Sequence, residues 1–151
     1  MKLTKNFYLK ELTGSSTAER MGVENQPNSE HLVALTILTK EILQPVRDKF
    51  GVVTVTSGYR SPELNSAIGG SSKSQHCNGE AADFECFSVS NPELAKWIQD
   101  NLDFDQLILE YYVAGDPHSG WVHCSYSRFG DNRKKVLNKQ KGKGYEPGLG
   151  K

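Results

Sequence analysis

Three side chains in this sequence could share one metal ion: His76, Asp83 and His123. Two imidazoles and a carboxylate supply three ligands and leave a fourth position for water, the pattern of a catalytic zinc site. His76 and Asp83 both fall in "SQHCNGEAADFEC", Ser74 to Cys86, with small residues between them, and His123 lies some forty residues further on in "WVHCS". One histidine near one aspartate would say little, because a buried histidine commonly serves only the core. The three together say more, since His76 would sit in the loop feeding the Asp83 strand and His123 in a strand able to lie beside it. Within the segment, Gly79 is read as permitting a tight bend next to the ion, and Ala81 and Ala82 as leaving room for a substrate.

The elements that must hold these groups can be read from period and punctuation. "SSTAERMG" has a capping serine at its front, a possible box from Ser16 to Glu19, and Gly22 to stop it, so it reads as a short helix. In "NSEHLVALTILTKEILQPVRDKFG", Leu32, Leu35, Ile37, Leu38, Ile42 and Val46 recur near helical period; Asn28 or Ser29 can cap, Gly51 can stop, and Pro45 is expected to kink the helix. The β-branched run Val52 to Thr56 predicts a buried strand ending at Ser57-Gly58. "EAADFECFS" predicts another strand, with Asp83 and Glu85 on one face and Phe84 and Cys86 on the other. "NPELAKWIQDNL" is a helix capped by Ser90 or Asn91, and "FDQLILEYYV" with "GWVHCSYS" forms an antiparallel pair joined by "AGDPHSG". The fold class that results is α+β: a single two-layer domain, mainly antiparallel sheet with helices packed on one face.

Composition sets the outer bounds. A chain of 151 residues, 36% apolar and 24% charged, has the content of one globular domain, and no apolar run approaches the ~18 residues of a membrane helix. Its formal net charge is +0, yet residues 128–151 carry 8 Lys and Arg against 2 Asp and Glu. This basic end is expected to be a solvated, partly flexible tail over 140–151, following a domain at 1–139, with weak contact to an anionic surface as the sharper alternative. No nucleic-acid motif is present, no stable membrane insertion is expected, and a monomer is expected. No secretory signal is read at the N-terminus. Cys77, Cys86 and Cys124 cannot all pair within one chain and form no C-x-x-C, so they are expected to be buried free thiols under the sheet.

"SQHCNGEAAD" fits S-x-H-x-x-G-x-A-x-D and resembles the signature of the zinc D-alanyl-D-alanine peptidases of the Hedgehog/DD-peptidase fold. "WVHCS" resembles their final zinc-histidine strand, and "SGYRSPELN" is similar to their S-G-Y-R-S-P-x-x-N segment. "FDQLILE", "SSTAERMG" and "LQPVRDKFG" resemble stretches of the branch that contains many phage peptidoglycan peptidases, so the likeness covers roughly residues 5 to 127. The resemblance implies one Zn²⁺ on His76, Asp83 and His123, with Arg60 in the cleft near a substrate carboxylate or carbonyl. Ser74, Tyr59 and Trp121 are the accompanying candidates for substrate contact. Several relatives carry a catalytic carboxylate two or three residues before the last zinc histidine, where this chain has Trp121 and Gly120. The base is therefore expected at Glu110: pairing Tyr112 with Trp121 in the hairpin would set Glu110 opposite His123 on one face. Asp116 and His118, in the connecting loop, are the other candidates.

The implied chemistry is hydrolysis of an amide bond in the stem peptide or cross-link of bacterial peptidoglycan. Water activated by zinc would lose its proton to Glu110, and Arg60 would stabilise the oxyanion. An endolysin held in the host bacterial cytoplasm until release to the cell wall is the expected setting. A D,D-carboxypeptidase or dipeptidase of cell-wall turnover and an inactive zinc-binding wall-recognition module are the alternatives. The second would be favoured if no base lay within reach of the metal water.

Overall fold

The alternation in "AADFEC" divides the molecule into a core side and a cleft side. Ala82, Phe84 and Cys86 are fully buried in the hydrophobic core, whereas Asp83 points to the opposite face of the strand. In a computed structural model describing residues 1–150, the strand bearing this pattern is an interior strand of a six-stranded sheet, next to one edge.

In chain order the elements are β1 (Lys2–Thr4), β2 (Phe7–Tyr8), α1 (Leu9–Thr13), α2 (Ser16–Met21), α3 (Ser29–Leu38), a π turn (Thr39–Leu43), α4 (Gln44–Phe50), β3 (Thr54–Ser57), α5 (Pro62–Ala67), a 3₁₀ turn (Gln75–Asn78), β4 (Ala81–Glu85), α6 (Asn91–Asn101), β5 (Gln106–Glu110), β6 (Trp121–Ser125), β7 (Lys135–Lys139) and β8 (Tyr145–Pro147). β1 and β2 form a small separate ribbon. The main sheet runs β3-β4-β6-β5-β7-β8, antiparallel throughout except for the parallel pair β5 and β7. No helix among the described residues is long and apolar enough to cross a membrane.

The long apolar period forms the helical layer as expected. Leu35, Leu38, Ile42, Leu43 and Val46 are fully buried, and they meet Phe84, Leu107, Val122 and Cys124 from the sheet in one cluster with Leu94 and Ile98 of α6. Each such side chain contributes about 1.5–3 kcal/mol by leaving water. Asn28 caps α3 by accepting from the His31 N–H at 2.8 Å, and Ser90 caps α6. Pro45 has no N–H to donate to the turn before it, and the chain meets it through the π turn at Thr39–Leu43, where the helix widens.

Several expectations are corrected. The cap of α2 is Ser15, whose Oγ accepts from the Ala18 N–H, so no box forms from Ser16 to Glu19. β3 is an edge strand of the sheet and only half-buried, because its β-branched residues have a neighbour on one side alone; Val52 before it is exposed. Ala81 and Ala82 are fully buried and neither lines the cleft, so they do not make room for a substrate. The C-terminal segment expected as a flexible tail from residue 140 instead turns back, and β8 pairs with β7 through Leu137↔Pro147, Asn138↔Glu146 and Lys139↔Tyr145. A boundary at 139 would cut that hairpin, which is held further by Asn138 donating to the Gly148 carbonyl at 2.9 Å.

Candidate active site

β4 and β6 pair with Asp83 directly opposite His123, so strand register alone sets these two side chains together on the face turned away from the helices. His76 reaches them from the 3₁₀ turn that enters β4. Ser74 starts this turn by accepting from the His76 N–H, and Gly79 ends it in the left-handed conformation, φ +73°. Gly79 also lies where a Cβ would meet the His31 carbonyl oxygen at 2.5 Å, so close packing against α3 requires glycine there as well as the bend.

The donor atoms of His76, Asp83 and His123 lie within 4.8 Å of one another, and all three residues are buried. His123 Nδ1 donates to Asp83 Oδ1 at 2.9 Å, and His76 Nε2 lies 3.4 Å from the same oxygen. The other ring nitrogen of His76, Nδ1, is 2.8 Å from the Gly58 carbonyl, which can only accept; the N–H is therefore on Nδ1 and Nε2 is turned toward the aspartate. Burial by itself would push the Asp83 carboxyl up, but the hydrogen bond from His123 and the closeness of the two imidazoles outweigh it and hold the group far below the usual carboxylate range. An ionised carboxylate with two converging imidazole nitrogens is a donor set that suits Zn²⁺.

Glu110 lies on the same face, though not by the expected register. It pairs with Trp121, and the residue opposite His123 is Ile108, so Glu110 reaches the triad diagonally, with Oε1 4.0 Å from His123 Nδ1. The expected pairing of Tyr112 with Trp121 fails because β5 ends at Glu110: Tyr111 takes φ +57° and donates its N–H to the Lys139 carbonyl on β7. Burial raises the Glu110 carboxyl above its ordinary value, with His123 pulling it back and Asp83 pushing it further up. The indole N–H of Trp121 is buried without a full hydrogen bond of its own, and the nearby indole also draws the carboxyl down.

Arg60 comes from the other side. Its Nε donates to Ser57 Oγ at 3.2 Å and Nη1 to Asn65 Oδ1 at 3.3 Å, which leaves Nη2 3.7 Å from Asp83 Oδ2. Ser74 and Trp121 line the same cleft, of about 600 Å³. Tyr59 does not: its backbone N–H donates to the Leu12 carbonyl and it is buried in the core with its ring 5.5 Å from that of His31, while the backbone N–H of the next residue, Arg60, donates to the His76 carbonyl and its side chain turns to the cleft. Asp116 and His118 also stay outside the cleft. The Pro117 carbonyl between them accepts from the Asn91 N–H, and His118 packs on Phe87 at 5.3 Å, so their loop is drawn toward the start of α6. Cys77, Cys86 and Cys124 are buried free thiols, the last two within the core.

The sequence reading missed Gln75, Asp105 and Arg133. Asp105 is buried and accepts from Arg133 Nε and Nη2, both at 2.9 Å, from the Arg133 backbone N–H at 3.1 Å, and from Gln75 Nε2 at 3.0 Å. It thereby ties the turn carrying His76 to the approach to β7. Asp105 stands within "FDQLILE", but its partners are thirty residues away on either side, and nothing local announces them.

The Peptidase M15 family model matches residues 5–125. The chain belongs to the Peptidase M15 family. This is a family of zinc-dependent D-Ala-D-Ala peptidases, and membership supports a metallopeptidase acting on peptidoglycan. No curated protein matches the chain with significance. The M15 match ends with β6; the last two strands of the sheet, and the cleft wall they build, lie beyond it.

Proposed function

We propose that this M15 chain is a zinc-dependent peptidoglycan endopeptidase of the endolysin type, with His76, Asp83 and His123 as the metal ligands and Glu110 as the general base. The observation that carries this reading is the position of Glu110, a carboxylate within 4.0 Å of a ligand histidine and outside the ligand triad. A site that merely stored an ion would have no use for a partly buried, raised carboxyl at that place.

Bound zinc supplies a lowered pKa to a water molecule and a pull on the scissile carbonyl. The chain's own residues do the rest. Glu110 receives the proton of the attacking water and returns it to the leaving amine, a double role to which its raised pKa is suited. Arg60, on the opposite side of the triad and fixed by Ser57 and Asn65, offers a guanidinium for the charge that develops on the carbonyl oxygen. The Gly58 carbonyl fixes the His76 tautomer, and Ser74 holds the turn that carries it. The cleft extends from the Lys73 loop to Tyr145, with exposed side chains at both rims, which supports a peptide running through it and favours an endopeptidase over a carboxypeptidase. Service at the wall after release from the host cytoplasm completes the reading.

The test is digestion of purified peptidoglycan by the wild type and by Glu110→Ala, each with its metal content measured and its released fragments weighed. One zinc per chain in both proteins, with cutting by the wild type alone, is expected, and the new termini name the bond. A zinc-loaded wild type that releases nothing would overturn the peptidase reading in favour of a wall-recognition module.

A further inference from the structure

The strands beyond the M15 match form one wall of the cleft: Arg133, Lys135, Leu137 and Tyr145 all line it. Four cations line the cleft altogether, Arg60, Lys73, Arg133 and Lys135, against two carboxylates, Asp83 and Glu110. Two of the cations already have partners, for Arg60 faces Asp83 and Arg133 is held by Asp105. Lys73 and Lys135 have no carboxylate within ion-pair distance among the described residues, and both are exposed. Gln106 lines the cleft beside them, directly paired with Lys135 across the parallel ladder, and its side-chain amide makes no hydrogen bond among the described residues.

We propose that Lys73, Lys135 and Gln106 form a subsite for a free carboxylate on the substrate, so that the enzyme selects acidic peptides. This inference rests on the peptidase reading above and names the substrate class for the same cleft. The cleft floor is arranged in rows across the strands. Asp83, His123, Ile108 and Leu137 form the middle row, Glu110 and Trp121 lie on one side of it, and Gln106 and Lys135 on the other. The base and Lys135 are therefore on opposite sides of the middle row that carries the ligands. Lys135 is two strands over and two residues along from His123, about 12 Å between backbones at ~4.8 Å per strand and ~3.3 Å per residue. With the reach of a lysine side chain, the carboxylate it meets sits about two or three peptide residues from the scissile bond. Two ammonium groups and an amide donor match a carboxylate, and its primary amide would forfeit the charge-assisted part of that recognition.

The experiment uses two synthetic stem-peptide fragments that differ only in that carboxylate, free in one and a primary amide in the other. The zinc-loaded full chain is assayed as wild type, Lys135→Met, Lys135→Arg and the double variant Lys73→Met/Lys135→Met. The wild type is expected to favour the acid by about three- to tenfold in kcat/KM, mainly through KM. The preference should shrink in Lys135→Met, return in Lys135→Arg, and approach one in the double variant; because both lysines are exposed, these proteins should fold. A wild-type ratio near one, or a preference that survives the double variant, overturns the subsite while leaving the peptidase intact. Cleavage of neither peptide by the zinc-loaded wild type overturns the peptidase reading and the subsite with it.

Discussion

Replacing Gly79 by alanine tests how the ligand set is built, and the structure provides its own control. Gly79 and Gly69 have almost the same backbone, φ +73° and +76°, but differ in surroundings: a Cβ on Gly69 meets nothing within 4 Å, while one on Gly79 meets the His31 carbonyl oxygen at 2.5 Å and Leu35 Cγ at 3.2 Å. The left-handed backbone costs an L-residue about 1–2 kcal/mol, less about 0.4–1 kcal/mol regained from the stiffer unfolded chain. Gly69→Ala should therefore cost up to about 1.6 kcal/mol. At Gly79 the obstacle is backbone of α3, which cannot swing aside, and overpacking of this kind adds about 1–3 kcal/mol. The total of about 1–4.6 kcal/mol corresponds to a fall in Tm of about 3–14 °C for a chain of this size at about 3 °C per kcal/mol, so the Gly79 variant should melt about 3–9 °C below Gly69→Ala. Thermal unfolding of the two metal-free variants by circular dichroism, with zinc titrated afterwards, makes the comparison. Gly79 joins the turn of His76 to the strand of Asp83, so zinc affinity should fall with stability at Gly79 and hold at Gly69. Equal melting temperatures for the two variants would refute the close-approach argument.

Glu110→Gln should keep its zinc and lose about 10²- to 10⁴-fold in kcat, because Glu110 is outside the ligand triad; loss of metal together with activity would make it a ligand instead. Glu110 must be ionised to act as base and burial raises its pKa, so kcat should climb with pH along a limb lying above the ordinary value of 4.5; a limb at or below that value would contradict the burial argument. Asp105→Asn should lower stability by about 1–2 kcal/mol at pH 7, discounted for the exposure of Arg133. Hydrogen bonds from Arg133 depress the Asp105 pKa, so its contribution is present above the unfolded value of about 3.9 and is lost as pH falls through the folded one. The melting difference between wild type and Asp105→Asn should accordingly vanish in acid, and a difference unchanged at pH 2 would count against the ion pair. Burial pushes the Cys86 thiol up to about 11 and raises Cys77 and Cys124 as well, so a thiol reagent at pH 8 should modify none of the three until the chain unfolds.

The parts of this protein legible in its sequence were those that depend on neighbours along the chain. Helical period marked the core face of α3 and α4, strand alternation put Asp83 and Phe84 on opposite faces, and capping residues marked the starts of α3 and α6. The three ligand candidates were legible for a related reason, since few structural roles call for that set of side chains at those strand parities. What depended on contact across the chain was misread or missed. Glu110 was placed on the correct face with the wrong partner, because parity survives a two-residue slip in register while the opposite residue does not. Tyr59 and Arg60 are adjacent, yet one belongs to the core and the other to the cleft. The lysine- and glycine-rich end looked like a solvated tail because its composition offers little apolar surface. It is ordered by backbone pairing, β8 antiparallel to β7 and β7 parallel to β5, and backbone hydrogen bonds have no signature in side-chain composition. The sequence alone thus determined which residues could bind a metal and which faces they occupy. Tertiary structure decided which carboxylate stands beside them and which strand closes the cleft, because both follow from the order and register of strands far apart in the chain.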